Sequence, residues 1–382
     1  MNGTSLHSWN ISVPWIPNLP RPSRFSEFIK SRSRSLDIEL ETVQTVVERF
    51  GLELTEPPKN LPLSRRTRNL QLNTSAGRRV IKRYRPRLDV ATITYSHSIL
   101  ERLAELHFPA VRVSATPSGE SFVSLDSGNY ALFEFVDGTN YSSSFVPPSY
   151  RHKLMNIAGQ TLGRLHSALA GFMPQGWHHL GFVSYTGDWR RNMAWHSAKV
   201  DEMKEKSRAL MTNEEDKKHA DWLVRNCTYI LNELAQVDET LRGSALTRLI
   251  IHGDYGLHNI VFQRNTVTPI DFESSRLEWR LSDLVSALSR LRYSNGVYNY
   301  ESIRNFLEGY QSAFPISAEE WQFLPLVWRF HKLRASLIYW NSYFETGGPA
   351  RKLISARDAV GQADWAIKNP DKLLRLNPSI SI

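Results

Sequence analysis

Residues 249–262 read LIIHGDYGLHNIVF, and residues 267–273 read VTPIDFE. In the first stretch, apolar residues lead into His252, polar residues fill the middle, and apolar residues resume at Ile260. The second stretch is another apolar approach, and it delivers Asp271. The pattern predicts short strands on both sides of a polar loop, with a carboxylate at the end of a neighbouring strand.

The polar positions of this segment suit phosphoryl transfer from ATP. That reaction needs a carboxylate to orient the attacking hydroxyl and accept its proton, and oxygen ligands to hold magnesium against the phosphates. Asp254 can supply the carboxylate, Asn259 lies five positions later with an amide oxygen, and Asp271 can complete the metal site. The alternative is an ordinary turn followed by a strand that ends in a surface aspartate. We predict a kinase with Asp254 as catalytic base and Asn259 and Asp271 as magnesium ligands.

The rest of the chain divides into a small mixed part and a larger helical part. In the small part, apolar spacing predicts helices over 36–50 and 90–106 and strands over 68–74, 79–84, 121–125 and 130–136. Helical patterns then dominate, over 151–170, 213–242, 281–293, 300–313, 319–343 and 350–367, interrupted by a β-rich stretch at 248–272. This is an α+β layout with two lobes.

The predicted domain organisation follows this change of pattern. Residues 1–35 are rich in Pro, Ser and Arg and lack sustained periodicity, so we expect an N-terminal extension that is partly disordered. Residues 36–134 form the predicted nucleotide-binding N-lobe. Residues 135–382 form the predicted C-lobe, which carries the catalytic loop and the acceptor site.

These motifs resemble those of the superfamily that contains aminoglycoside phosphotransferases, choline kinases and type II homoserine kinases. The resemblance covers most of residues 36–340 and is strongest in His252–Phe262 and Ile270–Glu273. It extends to Asp283, where the family carries an aspartate that opens the next helix, and to residues 162–166. It implies a protein-kinase-like bilobal fold, with a small β-rich N-lobe, a larger mostly helical C-lobe and ATP bound between the lobes.

The resemblance also implies roles for individual residues. Asp254 would be the base, and Asn259 and Asp271 would hold magnesium. His252 would brace the loop through backbone hydrogen bonds, and Asp283 would be a scaffold residue, as would His166 on the helix before the catalytic loop.

The nucleotide pocket is expected in the small lobe. Val80 and Lys82 share one face of a predicted strand, so Val80 can press on adenine while Lys82 meets the phosphates. Ser64 lies in the expected phosphate loop, and backbone groups from Glu134 to Val136 can pair with adenine. The alternative for Lys82 is an ordinary surface cation, because five arginines crowd the same segment.

Two features depart from the family pattern. Ser96 stands where a helix glutamate is expected to partner the lysine, so either Glu101 or Glu105 substitutes or the lysine is held otherwise. Residues 61–69 contain no glycine, so no glycine-rich loop covers the phosphates. Relatives often manage without one by using backbone and serine contacts.

The composition argues against several other classes of protein. The net charge of +9 comes mostly from residues 1–90, which hold 16 Lys and Arg against 8 Asp and Glu. No aromatic-interleaved basic motif accompanies this charge, so nucleic acid is not the expected partner. No apolar run is long enough to span a membrane, and the one cysteine, Cys227, cannot form an internal disulfide. We therefore expect a cytoplasmic protein.

The acceptor is expected to be a small molecule with a hydroxyl group, such as an amino alcohol, a sugar or an antibiotic-like metabolite. Arg329, Lys332 and Arg334 lie among aromatic residues and favour an anionic, zwitterionic or aromatic acceptor over a polycationic antibiotic. Two other functions stay open. One is a nucleotide-binding pseudokinase or scaffold, which Ser96 favours, and the other is a kinase of a protein substrate. The sequence leaves the acceptor and the oligomeric state open.

Overall fold

The computed structural model describes most of the chain, namely residues 38–61, 69–86, 88–141, 146, 148–210, 213–263, 266–292, 296–345 and 350–377. The predicted N-terminal extension at 1–35 and Ser64 of the predicted phosphate loop lie outside the described residues.

The chain divides into two compact units. The first comprises the residues up to Pro147 together with Met173–His178 and Leu257–Ser274, and the second comprises Pro148–Phe172, His179–Gly256 and Ser275–Ile382. This division does not follow chain order, whereas the predicted boundaries after residues 35 and 134 do. Those boundaries stay predictions.

Helices and strands alternate in the first part of the chain, and helices dominate later. In the described residues the strands are β1 (Leu54–Asn60), β2 (Asn69–Thr74), β3 (Gly77–Arg83), β4 (Val123–Leu125), β5 (Gly128–Glu134), β6 (Arg248–Ile251), β7 (Ile260–Phe262), β8 (Val267–Pro269) and β9 (Arg276–Trp279). The helices are α1 (Leu40–Arg49), α2 (Val90–Glu105), α3 (Pro148–Leu169), α4 (Met193–Leu210), α5 (Glu214–Arg242), α6 (Arg280–Leu288), α7 (Tyr300–Ala313), α8 (Ala318–Trp321), α9 (Leu324–Glu345), α10 (Arg351–Lys368) and α11 (Pro370–Leu374).

The first unit is built on an antiparallel sheet with the strand order β1-β2-β3-β5-β4. One face of this sheet packs on α1, in a core formed by Ile38, Val43, Val46, Val47, Phe50, Leu70, Leu72, Ile81, Val123, Tyr130 and Leu132. Since side chains alternate along a strand, Ile81 enters this core while Val80 and Lys82 lie on the other face. That face carries a smaller cluster, made of Tyr84, Ile93 and Ala131.

The segment Leu257–Ser274 belongs to the first unit although it follows much later in the chain. β7 and β8 pair in antiparallel fashion. Thr139 exchanges both backbone hydrogen bonds with Phe262, at 2.8 and 2.9 Å. The Asn140 side-chain amide donates to the carbonyls of His258 and Ile260, at 2.8 and 2.9 Å. These bonds fix the β7–β8 hairpin to the segment that follows β5.

The second unit is mostly helical, and two of its helices approach each other very closely. A Cβ atom added at Gly159 of α3 would lie 1.8 Å from the carbonyl oxygen of Phe306 in α7. A Cβ added at Gly309 of α7 would lie 1.9 Å from the carbonyl oxygen of Asn156. Only glycine fits at these two positions, so the close crossing of α3 and α7 depends on both glycines.

The same unit contains the antiparallel pair β6–β9, with Ile251 opposite Arg276. β6 runs into the loop that starts at His252, and β9 runs directly into α6. The pair therefore holds the start of the loop and the start of α6 side by side.

Most of the elements lie where the apolar patterns predict them, but several differ, including β9 and α11, which lie outside the predicted ranges. The helix predicted at 281–293 ends at Leu288, and the one predicted at 319–343 is divided into α8 and α9. β1 was not predicted because it contains Pro57 and Pro58, which strands tolerate only at sheet edges, and β1 is an edge strand with an irregular register. α4 was not predicted because its apolar residues form no distinct stripe.

Candidate active site

Lys82 is the centre of a charge cluster in the first unit. Its side chain is only 8% exposed, and its ammonium lies 2.6 Å from Asp271 Oδ1 and 3.0 Å from Glu273 Oε2. Arg85 makes an ion pair with the other oxygen of Glu273. Burial alone would favour the neutral amine, but the charges of Asp271 and Glu273 outweigh it and raise the pKa of Lys82 above its ordinary value. Lys82 is therefore a buried, paired cation and not a surface cation.

Asp271 has an unusual backbone conformation, with a φ of 65°. Few residues other than glycine adopt this left-handed region, although aspartate and asparagine tolerate it better than most. Asp271 follows β8 and precedes a short 3₁₀ turn at Phe272–Ser274. The turn brings Glu273 back to the ammonium that Asp271 also contacts.

Asn259 lies next to Asp271 through the backbone. The N–H of Ile270 donates to the carbonyl of Asn259 at 2.9 Å, which continues the β7–β8 pairing by one residue. The Asn259 side chain is buried, whereas the Asp271 side chain is 39% exposed. The structure thus brings three sequence-predicted residues, Lys82, Asn259 and Asp271, into one unit.

Two of the backbone N–H groups that were predicted to pair with adenine already donate to other backbone carbonyls. The N–H of Glu134 donates to Arg112 O at 2.9 Å, and the N–H of Phe135 donates to Arg78 O at 3.2 Å. Among the described residues, no backbone partner contacts the N–H of Val136. Val80 lies beside this region, since it pairs with Phe133 across the sheet. Of the N–H groups from Glu134 to Val136 that were predicted to pair with adenine, that of Val136 therefore remains the candidate donor.

Ser96 does not contact Lys82; it is buried in α2 and donates to the carbonyl of Ile93 at 2.9 Å. Glu105 pairs with Arg102 at the exposed end of α2. No carboxylate of α2 pairs with Lys82 in the described residues, so the lysine is held otherwise, by Asp271 and Glu273. Sequence reasoning gave Glu273 no role. The sequence feature that could have indicated a role for Glu273 is its position, two residues after the predicted metal-binding aspartate.

In the second unit, the loop after β6 is supported by Asp283 of α6. The fully buried carboxylate of Asp283 accepts the backbone N–H of His252 at 2.7 Å and that of Gly253 at 2.8 Å. Gly253 has a φ of 81°, a conformation that side chains rarely adopt, so the glycine allows the loop to turn here. The His252 ring is buried, and its Nδ1 accepts the N–H of Asp254 at 3.4 Å.

Asp283 is held in turn by His166 of α3. The His166 Nε2 atom lies 3.1 Å from Asp283 Oδ2, and its Nδ1 atom lies 2.8 Å from the hydroxyl of Tyr310. Burial disfavours the charged carboxylate, but the hydrogen bond and charge of His166 outweigh it and lower the pKa of Asp283 below its ordinary value. An ionised Asp283 is thus a stable acceptor for the loop N–H groups.

Asp254 itself is 37% exposed and makes an ion pair with Arg290. The guanidinium of Arg290 also donates to the carbonyls of Tyr255, at 3.2 Å, and Ser286, at 2.9 Å. Sequence reasoning missed Arg290. It lies two residues beyond the end of α6, in the turn that follows the helix carrying Asp283.

The oxygen donors of the first unit suit magnesium. No group of three or more His, Cys, Asp and Glu side chains is arranged to hold a metal ion in the described residues. Magnesium is usually bound through one or two carboxylates, with water and substrate phosphates completing its octahedron. The Asp271 carboxylate, together with the side-chain amide of Asn259 on the paired strand end, would supply such a sparse set of oxygen donors.

Comparison with known proteins identifies the family. The model of the Phosphotransferase enzyme family matches residues 59–318, which is more than half of the chain. The chain belongs to this family. It is similar to the homoserine kinase of Caulobacter vibrioides (strain NA1000 / CB15N), with 24% identity over 327 residues, which are 85% of this chain and 93% of the relative.

Solved structures of phosphotransferases share the fold. The aminoglycoside phosphotransferase of Alicyclobacillus acidocaldarius aligns with a TM-score of 0.58 at 16% identity and covers 92% of this chain and 99% of its own. The ethanolamine kinase of Plasmodium vivax aligns with a TM-score of 0.59 at 12% identity and covers 83% of each chain. The predicted α+β, protein-kinase-like fold class is confirmed.

The prediction that the chain is a kinase with an alcohol group as acceptor is also confirmed, since the phosphotransferase family contains small-molecule kinases of this type. Among the described helices, none combines the length and apolar character that are needed to cross a bilayer. The roles assigned to individual site residues stay predictions.

Proposed function

We propose that this phosphotransferase transfers the γ-phosphate of ATP, with magnesium, to a hydroxyl group of an amino alcohol, a sugar or an antibiotic-like metabolite. The observation that carries this proposal is the buried Lys82 between Asp271 and Glu273. A buried ammonium held by two carboxylates is a cation kept charged in a region of low dielectric, where it interacts strongly with phosphate oxygens.

In this proposal the first unit binds the nucleotide. Lys82 contacts the phosphates, Val80 packs on adenine, and the N–H of Val136 donates to it. Asn259 and Asp271 would hold magnesium, which neutralises charge on the β- and γ-phosphates when it is bound. Lys82 can remain near Asp271 when phosphate is bound, because an ammonium has three donors.

The second unit supplies the base. Asp254 orients the acceptor hydroxyl and accepts its proton during transfer. The loop that carries Asp254 is braced by Asp283, through the N–H groups of His252 and Gly253, so the carboxylate keeps a defined position. A general base benefits from such preorganisation, because a misplaced carboxylate reduces the rate even when its pKa is suitable.

The pseudokinase alternative rested on Ser96. Glu273 supplies the carboxylate that Ser96 lacks, and Asp254, Asn259 and Asp271 are all present. We therefore favour an active kinase.

The test is nucleotide binding measured by thermal shift, with and without magnesium. We expect Mg-ATP to raise the Tm of the wild type, and we expect Asp271→Asn to lose the magnesium-dependent part of this rise. Asparagine is used because it tolerates the left-handed backbone of residue 271. The control is Asp201→Asn, which changes an exposed aspartate of α4. If no nucleotide shifts the Tm of the wild type, the proposed function is wrong.

A further inference from the structure

Lys82 has a third neighbour in the first unit besides its two carboxylates. Its ammonium lies 5.3 Å from the centroid of the Tyr84 ring, a distance at which an aromatic face attracts a cation. Tyr84 follows Lys82 by two residues, and its N–H still donates to the carbonyl of Asn129 in β5, at 2.9 Å. Because side chains alternate along a strand, Tyr84 lies on the same face of the sheet as Lys82. Two carboxylates and one aromatic ring therefore surround the ammonium.

The Tyr84 ring is fixed by a residue of α2. Its hydroxyl lies 2.6 Å from His97 Nε2, and His97 Nδ1 lies 2.7 Å from Ser121 Oγ. Tyr84 and His97 are both buried. His97 directly follows Ser96, the position at which a helix glutamate was expected. α2 is therefore connected to Lys82 through an aromatic ring and not through a carboxylate.

The Tyr84–His97 pair is neutral near pH 7. Burial raises the pKa of Tyr84 above its ordinary value, although the charge of Lys82 acts in the opposite direction. Burial, followed by the charge of Lys82, lowers the pKa of His97 to about 3. Since a phenol is the stronger acid and an imidazole nitrogen the stronger acceptor, we assign the donor role to the tyrosine hydroxyl. This bond polarises the phenol, and a more electron-rich ring attracts the ammonium more strongly.

A neutral ring suits the positioning of a cation that must also bind phosphate. The ammonium of Lys82 is carried on a flexible four-carbon stem, so its position depends on what surrounds it. A third carboxylate would compete with phosphate oxygens for the ammonium. An aromatic face attracts the cation without accepting a strong hydrogen bond, and the three N–H donors of the ammonium remain for oxygen acceptors.

We propose that Tyr84 and His97 are positioning residues for the kinase reaction: His97 fixes the ring of Tyr84, and the ring holds the Lys82 ammonium in place for the nucleotide phosphates. This inference rests on the proposed function, because it takes Lys82 as the cation that contacts those phosphates. The role expected of a helix glutamate is thus divided between two groups. Glu273 supplies a negative charge, and the Tyr84–His97 pair supplies the connection to α2.

The first test compares a ligand that has phosphates with one that has none. The variant is Tyr84→Leu, and the ligands are Mg-ATP and adenosine. Calorimetric titration gives the Kd of Mg-ATP and, by displacement of Mg-ATP, that of adenosine. We expect the Kd of Mg-ATP to rise about 3- to 10-fold, since a desolvated contact between a cation and a ring is lost. The Kd of adenosine should match that of the wild type, because adenosine presents no phosphate to Lys82. Equal changes for both ligands, or an unchanged Kd of Mg-ATP, would overturn the inference.

The variant Tyr84→Phe keeps the ring and removes the hydroxyl, so it also serves if Tyr84→Leu does not fold. We expect the Kd of Mg-ATP to rise about 2- to 3-fold, as for one lost hydrogen bond of modest strength, with that of adenosine unchanged. The matched control is Tyr130→Phe. Tyr130 is buried in the core on the opposite face of the same sheet, donates to Ser127 Oγ at 2.9 Å and has Arg83 5.9 Å from its ring centroid. An equal change in the ratio of the two Kd values in both variants would contradict the positioning role.

Variants of His97 test whether α2 acts through the tyrosine. His97→Leu removes the acceptor of the tyrosine hydroxyl, so it should raise the Kd of Mg-ATP as Tyr84→Phe does. His97→Gln offers an amide oxygen in its place and should restore most of the wild-type affinity. The double variant Tyr84→Phe/His97→Leu should bind Mg-ATP no more weakly than either single variant, because two residues that act through one hydrogen bond are not additive. Additive effects would reject His97 as the residue that fixes the ring.

The failure of this inference can be separated from that of the proposed function. If Mg-ATP raises the Tm of the wild type but the variants of Tyr84 and His97 bind Mg-ATP as the wild type does, the positioning role is rejected and the nucleotide site is retained. If Mg-ATP has no effect on the Tm of the wild type, both are rejected.

Discussion

The two units hold their functional carboxylates in different ways. In the first unit, Asp271 and Glu273 contact another side chain, the ammonium of Lys82. In the second unit, Asp283 accepts two backbone N–H groups of the loop, in addition to its contact with His166. We call the first arrangement the exchangeable cluster (Lys82, Asp271 and Glu273) and the second the fixed loop (His252–Tyr255 with Asp283).

This difference lets one chain hold some carboxylates so that a ligand can displace their partners and hold another in a fixed position. Ion pairs between side chains can be replaced by ion pairs to a ligand without moving the backbone. Replacing a carboxylate that satisfies buried backbone donors is costly, because the N–H groups would lose their partners. The exchangeable cluster suits a nucleotide that binds and leaves, and the fixed loop suits a base that must stay in position.

The largest expected effect is a loss of turnover in a variant that still binds Mg-ATP. In Asp254→Asn the fixed loop should keep its path but lose the proposed base, so we expect turnover to fall by about 10²- to 10⁴-fold. The Tm rise with Mg-ATP should match that of the wild type, because the exchangeable cluster is unchanged. Steady-state ADP release and thermal shift measure the two quantities, with Asp201→Asn as the control. Wild-type turnover would reject Asp254 as the base.

The next effect tests whether the fixed loop is structurally required. Asp283→Ala leaves the N–H groups of His252 and Gly253 and the His166 ring without their acceptor. Breaking a buried charged interaction of this kind lowers the free energy of unfolding by about 3–5 kcal/mol. Denaturant unfolding measures the change, and Asp201→Ala, at an exposed position, should stay within about 0.5 kcal/mol of the wild type. Similar values for the two variants would contradict the comparison.

A smaller effect concerns the helix that supports the fixed loop. The hydroxyl of Tyr255 donates to the carbonyl of Ala158 at 2.8 Å, next to the close crossing at Gly159. Gly159→Ala should destabilise the protein by about 1–3 kcal/mol, because α3 and α7 must separate. Gly361→Ala in α10, where an added Cβ meets nothing within 4 Å, should stabilise it by about 0.5–1 kcal/mol. Calorimetry on both variants would detect this opposite sign, and destabilisation by both would contradict the packing argument.

The smallest effect concerns the exchangeable cluster. Glu273→Gln removes one of the two carboxylates that orient Lys82, and Asp271 remains. We expect the KM for Mg-ATP to rise by about fivefold, equivalent to roughly 1 kcal/mol. Glu101→Gln, in the helix that was expected to supply this partner, should leave the KM unchanged. A larger effect from Glu101→Gln than from Glu273→Gln would return the partner of Lys82 to α2.

Local patterns were sufficient to predict much of the fold and the elements that carry the proposed site residues. The apolar approaches to His252 and Asp271 correspond to β6 and β8, and the Asp254–Asn259 spacing lies on the intervening loop. These features depend on residues close in sequence, where periodicity and spacing carry the information.

The remaining features depend on contacts between distant residues. Glu273 reaches Lys82 across a turn in which Asp271 adopts a left-handed conformation, and no pattern of polar and apolar residues indicates such a turn. The pairing of Arg290 with Asp254 follows from the position of α6 beside the loop, which β6–β9 pairing determines. β1 was missed since its two prolines argue against a strand, and only its edge position makes them acceptable.

The ion pair between Lys82 and Asp271 joins residues 189 positions apart. On the ribosome, at about 5–20 residues per second, Lys82 is synthesised roughly 10–40 s before its partner. During that interval the sheet of the first unit cannot bury the ammonium at a favourable cost, because the hairpin that carries Asp271 does not yet exist. Completion of the first unit therefore waits for the synthesis of a large part of the second.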